Sequence, residues 1–212
     1  MKLPAPPLLL VTDRRQARRP LAAIAAAALE AGCRWLSLRE KDLPADEQVL
    51  LARALAKAAH AHGAKLMLHG EAALANRAGA DGVHLAAGAD PIAARALIGR
   101  EKLLGVSLHT VSEAAAVDPV VADYALAGPA FETVSKPGYG PEIGRSGLAE
   151  IARAARVPVL AIGGVNPLLV GEIIAAGAAG IAVMGSVMRA ADPAQEVRAL
   201  IATLNGSLAI RA

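Results

Sequence analysis

Eight short apolar runs, each ending in polar or glycine residues and each followed by a helix pattern, predict a single (β/α)8 TIM barrel. Three observations carry that expectation. The runs are continuously apolar rather than alternating, as strands buried on both faces must be. They recur about every twenty-five residues in alternation with helices, which implies a parallel sheet with right-handed crossovers. Eight such units can close the sheet and hide both edges, where an open sheet would leave two exposed. The barrel proper is expected over about residues 8–205 of one domain spanning 1–212.

Each element has a local reason. Leu8-Leu9-Leu10-Val11-Thr12 is a buried strand ending at the polar Asp13. Pro20 opens an alanine-rich helix that reaches Ala31 and stops at Gly32. Trp35-Leu36-Ser37-Leu38 is the second strand and delivers Arg39, Glu40 and Lys41 at its carboxyl end. A long amphipathic helix from Pro44 to His62 closes at Gly63. Then come the strand Lys65-Leu66-Met67-Leu68, a short helix to Gly79, and the strand Gly82-Val83-His84-Leu85. Asp90-Pro91 begins a helix to Ile98, and Leu103-Leu104-Gly105-Val106-Ser107 is the fifth strand. Thr110-Val111-Ser112-Glu113 reads as a capping box that opens the next helix. Asp123 to Ala127 is the sixth strand, followed by an irregular stretch from Gly128 to Arg145 and a helix from Ser146 to Arg156. Two glycine-ended strands follow, Val157 to Gly164 and Gly180 to Ser186, and a last helix runs from Pro193 to about Leu204.

Composition narrows the function classes. With 212 residues, 55% of them hydrophobic, the chain can bury one sizeable core. Its four aromatic residues, Trp35, Tyr124, Phe131 and Tyr139, are too few to serve as base-stacking platforms, so nucleic acid is not an expected partner. The net charge of +3 is modest, and the cluster Arg14, Arg15, Arg18 and Arg19 suits either an anionic ligand or a solvated loop. Cys33 is the single cysteine and is read as a small core residue. Neither a signal peptide nor an apolar stretch of membrane-spanning length is visible, so a soluble cytoplasmic protein is expected.

In a (β/α)8 barrel the loops after the strands line the active site. Arg39, Lys41 and Lys136 then converge on one mouth, where Arg can fork onto paired oxygens and Lys can act as a point charge. Gly163-Gly164 and Gly185-Ser186 end adjacent strands, where exposed amides favour a phosphate. Ser37, Ser107, Thr133 and Ser135 are the hydroxyls at strand ends or in the long loop after the sixth strand. His69, His84 and His109 come from three strands without metal-ligand spacing, so zinc is not expected. Of the three, His69 is the best placed for proton transfer.

Five motifs in order resemble the superfamily of thiamine-phosphate synthase and the thiazole tautomerase TenI. They are Leu38-Arg39-Glu40-Lys41-Asp42, Gly79-Ala80-Asp81-Gly82-Val83-His84-Leu85, Gly105-Val106-Ser107-Leu108-His109-Thr110, the stretch from Gly128 to Gly138, and Ala161-Ile162-Gly163-Gly164-Val165. The resemblance implies an eight-stranded α/β barrel acting in thiamine biosynthesis. The synthase joins hydroxymethylpyrimidine pyrophosphate to thiazole phosphate with magnesium assistance. On this resemblance Arg39, Lys41 and Lys136 would hold the pyrophosphate with Ser107 nearby. Thr133, Ser135 and the amides of Gly164 and Gly185 would hold the thiazole phosphate.

The chain also departs from the synthase pattern. His69-Gly70 stands where Asn-Asp is usual after the third strand, and Ala86-Ala87-Gly88-Ala89 stands where Gly-Gln-(Asp/Glu)-Asp is usual after the fourth. Both magnesium carboxylates are therefore missing in register. Glu71 and Asp90, one position downstream, are the weak metal candidates, and Asp90 reads equally well as a helix cap. Ser37 also replaces a glutamine. The cofactor expectation is Mg2+ for a working synthase and none otherwise. A thiazole tautomerase needs no metal, but its catalytic histidine falls at Pro129, which leaves His69 as the candidate acid–base group. The alternatives to a synthase are thus that tautomerase, a non-catalytic phosphate-ligand-binding regulator, or another phosphosugar enzyme on the same barrel. The expected partners are the phosphorylated thiazole and the pyrimidine pyrophosphate, with a homodimer as a possible assembly.

Overall fold

Side chains alternate across a strand, so each short run in this chain can fill the barrel with one face and receive a helix on the other. The computed structural model describes residues 3–86, 88–133 and 141–211. Its strands are β1 (Leu8–Val11), β2 (Trp35–Leu38), β3 (Lys65–His69), β4 (Gly82–His84), β5 (Leu103–Leu108), β6 (Tyr124–Ala127), β7 (Val159–Ile162) and β8 (Gly180–Val183). All pair in parallel with their sequence neighbours, and β1 pairs with β8, so the sheet is a closed barrel as expected.

The helices outside are α1 (Leu21–Glu30), α2 (Ala45–Ala61), α3 (Ala72–Ala78), α4 (Pro91–Ile98), α5 (Val111–Ala116), α6 (Gly144–Ala154), α7 (Val170–Ala175), α8 (Gly185–Met188) and α9 (Pro193–Arg211). The expected capping box opens α5: the Glu113 amide donates to Thr110 Oγ1 at 3.2 Å, and the Thr110 amide donates to Glu113 Oε2 at 3.0 Å. Three boundaries differ from the sequence reading. Helix α6 begins at Gly144 rather than Ser146, and α9 runs past Leu204 to Arg211. The short helix α8 starts at the glycine that ends β8, because Gly185 continues straight from the strand turn into a helical turn.

Two cores result. The outer one packs β-strand residues such as Leu8, Leu10, Leu36 and Leu66 against the helices. The inner one fills the barrel with Leu9, Val11, Trp35, Met67, Leu103, Tyr124, Leu126, Leu160 and Ala182. With few rings available, two of them meet here: Trp35 and Tyr124 contact edge-on at 4.7 Å between centroids. Gly105 makes room for this. A Cβ at that position would lie 2.2 Å from Cζ of Tyr124, so only glycine lets the tyrosine ring cross the barrel axis beside β5. Cys33 is fully buried before β2, and burial pushes its thiol pKa up to about 11, consistent with an inert core residue.

Candidate active site

The carboxyl ends of the strands surround a cavity of about 430 Å³. Its walls include Arg39 and Lys41 after β2, His69 at the end of β3, Ser107 and His109 at the end of β5, Thr133 after β6, Gly163 and Gly164 after β7, and Gly185, Ser186 and Arg189 after β8. Apolar side chains, among them Val11, Leu126, Ile162 and Ala182, form the floor. Charged ligands at the rim would thus sit over a low-dielectric base, where each electrostatic contact is stronger than in water.

The β2 end is built by a division of labour among adjacent charges. Glu40 points inward, only 2% exposed, and accepts hydrogen bonds from the Arg14 amide at 3.1 Å and from Arg14 Nη1 at 3.2 Å. Arg14 also donates to Asp42 at 2.7 Å, so this arginine is a rim brace rather than a ligand-facing cation. The arginine holds the Asp42 carboxyl below its ordinary pKa. With Glu40 so engaged, Arg39 and Lys41 are left facing the cavity. The Arg39 amide donates to Thr12 Oγ1 at 2.9 Å, which ties its backbone to β1. Lost solvent, and then the nearby Arg39 charge, lower the pKa of Lys41.

A buried polar chain runs beneath Ser107. His84 Nε2 lies 3.0 Å from Ser107 Oγ, and His84 Nδ1 lies 3.2 Å from the Tyr124 hydroxyl. Burial, reinforced by the Lys41 charge, drives the His84 pKa down to about 3, so the imidazole is neutral at physiological pH. Burial, reinforced by the Asp123 charge, likewise pushes the Tyr124 hydroxyl far above its ordinary pKa. A neutral imidazole has one donor and one acceptor nitrogen, so His84 couples the orientation of the Tyr124 hydroxyl to that of Ser107. His69 stacks on His84 at 4.7 Å between ring centroids and presents itself to the cavity.

The β7 and β8 ends form the glycine cradle. Gly164 has φ +67, and a Cβ there would lie 2.5 Å from the Glu132 carbonyl oxygen. Backbone from the β6 loop therefore packs directly against this turn. The Ser186 hydroxyl beside Gly185 is buried and has no hydrogen-bond partner among the described residues, although it borders the cavity. An orphaned hydroxyl at such a place is a group awaiting a ligand or water.

Of the residues expected from sequence, Arg39, Lys41, His69, Ser107, Thr133, Gly163, Gly164, Gly185 and Ser186 are brought to one cavity. Ser37 is not. It is fully buried inside the barrel two positions before Arg39 and does not line the cavity. Ser135 and Lys136 lie outside the described residues. Glu71 and Asp90 border an adjoining groove, both exposed. Asp90 is used as the α4 cap, accepting from the Ile92 and Ala93 amides at 2.8 and 3.1 Å. Among the described residues no group of three or more His, Cys, Asp or Glu side chains could hold a metal ion. The described residues therefore form no all-protein cage for the implied magnesium, an ion that one or two carboxylates such as Glu71 and Asp90 would hold together with substrate phosphates and waters. Titration of Mg2+ alone is expected to give no saturable heat at micromolar concentration; tight binding would show that Glu71 and Asp90 rearrange.

Sequence reasoning missed Arg189 because α8 itself was not foreseen. Once Gly185 is read as a helix start, the spacing of four residues would have placed Arg189 on the same face.

Fold and site together define an α/β barrel with an anion-ready mouth of glycine turns and converging cations. The chain matches the family model described as "Thiamine monophosphate synthase" (TMP-TENI) over residues 8–187, and it belongs to that family. It is 42% identical over 207 residues to the thiamine-phosphate synthase of Roseiflexus sp. (strain RS-1), covering 96% of this chain and 87% of that protein. Against the thiamine-phosphate synthase of Roseiflexus castenholzii it is 42% identical over 195 residues, covering 90% and 85%. The structure superposes on a thiamine phosphate pyrophosphorylase from Pyrococcus furiosus with a TM-score of 0.85 and 29% identity, covering 95% of this chain and 96% of that one. No helix among the described residues is long and apolar enough to cross a membrane.

Proposed function

We propose that this protein is a thiamine-phosphate synthase, coupling hydroxymethylpyrimidine pyrophosphate to thiazole phosphate and releasing pyrophosphate. The observation that supports it most is one cavity carrying two anion sites, the Arg39–Lys41 pair and the Gly164/Gly185–Ser186 cradle, over an apolar floor. In the reaction the carbon–oxygen bond between the pyrimidine methylene and the pyrophosphate breaks, and its electron pair leaves on the pyrophosphate oxygen. The thiazole nitrogen supplies the pair for the new carbon–nitrogen bond. Arg39 and Lys41 stabilise the charge that develops on the leaving oxygens, a task that needs positioned cations more than proton transfer. Ser107, oriented through His84, donates its hydroxyl hydrogen to the same group. Lys136 and Ser135 belong to the same proposal as further contacts to the two phosphate groups. Mg2+ belongs to it as the family's assisting ion, which would neutralise pyrophosphate charge when bound.

The tautomerase reading finds less support. Pro129, at the position of the tautomerase histidine, lines the cavity and cannot move a proton. The same proposal places the protein in the cytoplasm, as a possible homodimer, with small phosphorylated molecules as its partners. Calorimetric titration with the pyrimidine pyrophosphate, with and without magnesium, followed by thiazole phosphate and an assay for thiamine phosphate, tests the synthase reading. Binding of both ligands and formation of product are expected. Thiazole phosphate binding without pyrophosphate binding or product would overturn it.

A further inference from the structure

We propose that Arg189, held by Gln16 and through it by Asp13, grips the monophosphate of the thiazole substrate and sets the preference for a phosphorylated thiazole. This rests on the synthase reading above, which places that phosphate at the β7 and β8 ends. Arg189 follows Gly185 by four residues and Ser186 by three, and its amide donates to the Gly185 carbonyl at 3.0 Å. One helical turn thus sets its side chain over the cradle, leaning back toward the start of α8. Arg189 lines the cavity with Gly164, Gly185 and the orphaned Ser186 hydroxyl. Among the described residues it is the one charged side chain that the β7 and β8 ends place there. Arg39 and Lys41 both belong to the β2 end, so among the described residues Arg189 adds the side-chain cation to the amides and hydroxyl of the cradle.

The guanidinium is aimed from behind. Arg189 Nη1 donates to Gln16 Oε1, and Gln16 Nε2 donates to Asp13 Oδ2 at 2.7 Å. Asp13 is 93% buried and also accepts the Arg15 amide at 3.1 Å, so the chain of bonds is anchored in the turn after β1. Two further hydrogen bonds join the loop after β1 to the end of α8 and the residues beyond it: the Arg18 amide donates to the Met188 carbonyl at 3.1 Å, and the Arg19 side chain donates through Nη2 to the Ala191 carbonyl at 2.6 Å. A glutamine is well suited as the intermediary. Its amide can accept from the guanidinium and donate to the carboxylate, so Asp13 orients Arg189 without neutralising it directly. A guanidinium carries five N–H donors in a fixed fork, a geometry that matches paired phosphate oxygens. Gln16 is accordingly a positioning residue, and Arg189 is the contact.

The test compares the phosphorylated thiazole with the same thiazole alcohol, by calorimetry and in the coupling assay. The wild-type protein is expected to bind the phosphate form at least tenfold more tightly. Arg189→Ala should lower that preference about tenfold or more, the order expected for one charge-assisted contact, and leave the KM of the pyrimidine pyrophosphate unchanged. Arg189→Lys should recover part of it, and Gln16→Leu should raise the thiazole phosphate KM with kcat retained. A brace that only held α8 in place would lower the melting temperature without moving the phosphate preference. An unchanged preference in Arg189→Ala and Gln16→Leu, in a wild-type background that does discriminate, overturns this inference alone. If the wild-type protein itself does not discriminate, the phosphate cradle of the synthase reading falls with it. Should Arg189→Ala fail to fold, Arg189→Lys and Gln16→Leu decide the question by the same ratio.

Discussion

Lys41→Ala is expected to lower kcat/KM for the pyrimidine pyrophosphate by roughly 10²–10³-fold, the usual scale for losing one preorganised charge that stabilises a developing anion. Lys41 lines the cavity beside Arg39, and the neighbouring Glu40 is engaged by Arg14 rather than by either cation. Its contribution depends on its proton. Because lost solvent and the Arg39 charge lower its pKa, the ammonium is lost at a pH below that of a free lysine. The protonated form is the one that holds pyrophosphate, so activity should be full below this lowered pKa and decline as pH rises through it. Lys41→Arg, which keeps its charge at every working pH, should erase that alkaline limb even where it lowers the rate. Arg39→Leu should move the limb upward by removing the second cause of the shift. A kcat/KM profile of Lys41→Ala that matches wild type in height and in its alkaline limb would remove Lys41 from the pyrophosphate site.

Gly105→Ala is expected to destabilise the barrel by about 2–3 kcal/mol, toward the upper end for overpacking a well-filled core. The new Cβ would meet Tyr124 at 2.2 Å from Cζ and 2.5 Å from the hydroxyl oxygen, so ring or strand must move. Neither can move freely. Tyr124 is fully buried between Trp35 and His84, and Gly105 is paired with Tyr124 in the β5–β6 register. At about 2–4 °C per kcal/mol for a chain of this size, the melting temperature should fall by several degrees. The same movement would pull the Tyr124 hydroxyl from His84 and release Ser107, so activity should fall further than stability alone explains. In a Tyr124→Leu background the added methyl should cost much less, a non-additivity that a double-mutant cycle reads directly. Full additivity would show that the tyrosine ring is not what the glycine accommodates.

The sequence by itself determined the barrel. Continuous apolar runs such as Leu8–Val11 and Tyr124–Ala127 cannot belong to strands with a solvated face, and eight of them alternating with helices leave a closed parallel sheet as the solution without edges. It also marked most of the mouth, because glycine and charged residues at strand ends are visible without coordinates. Gly163, Gly164, Arg39 and Lys41 are of this kind. What only the tertiary structure decided is which neighbours in sequence part company in space. Arg39, Glu40 and Lys41 are consecutive, yet Glu40 turns inward to Arg14, a partner twenty-six residues away, while the two cations face the cavity. Ser37 is buried inside the barrel although its run reads as part of the site, and His84 of β4 meets Ser107 of the neighbouring β5. Arg189 meets Gln16, 173 residues earlier, because β1 pairs with β8. Strand pairing makes these contacts, and no local pattern encodes the direction in which a long side chain turns when two charged partners compete for it.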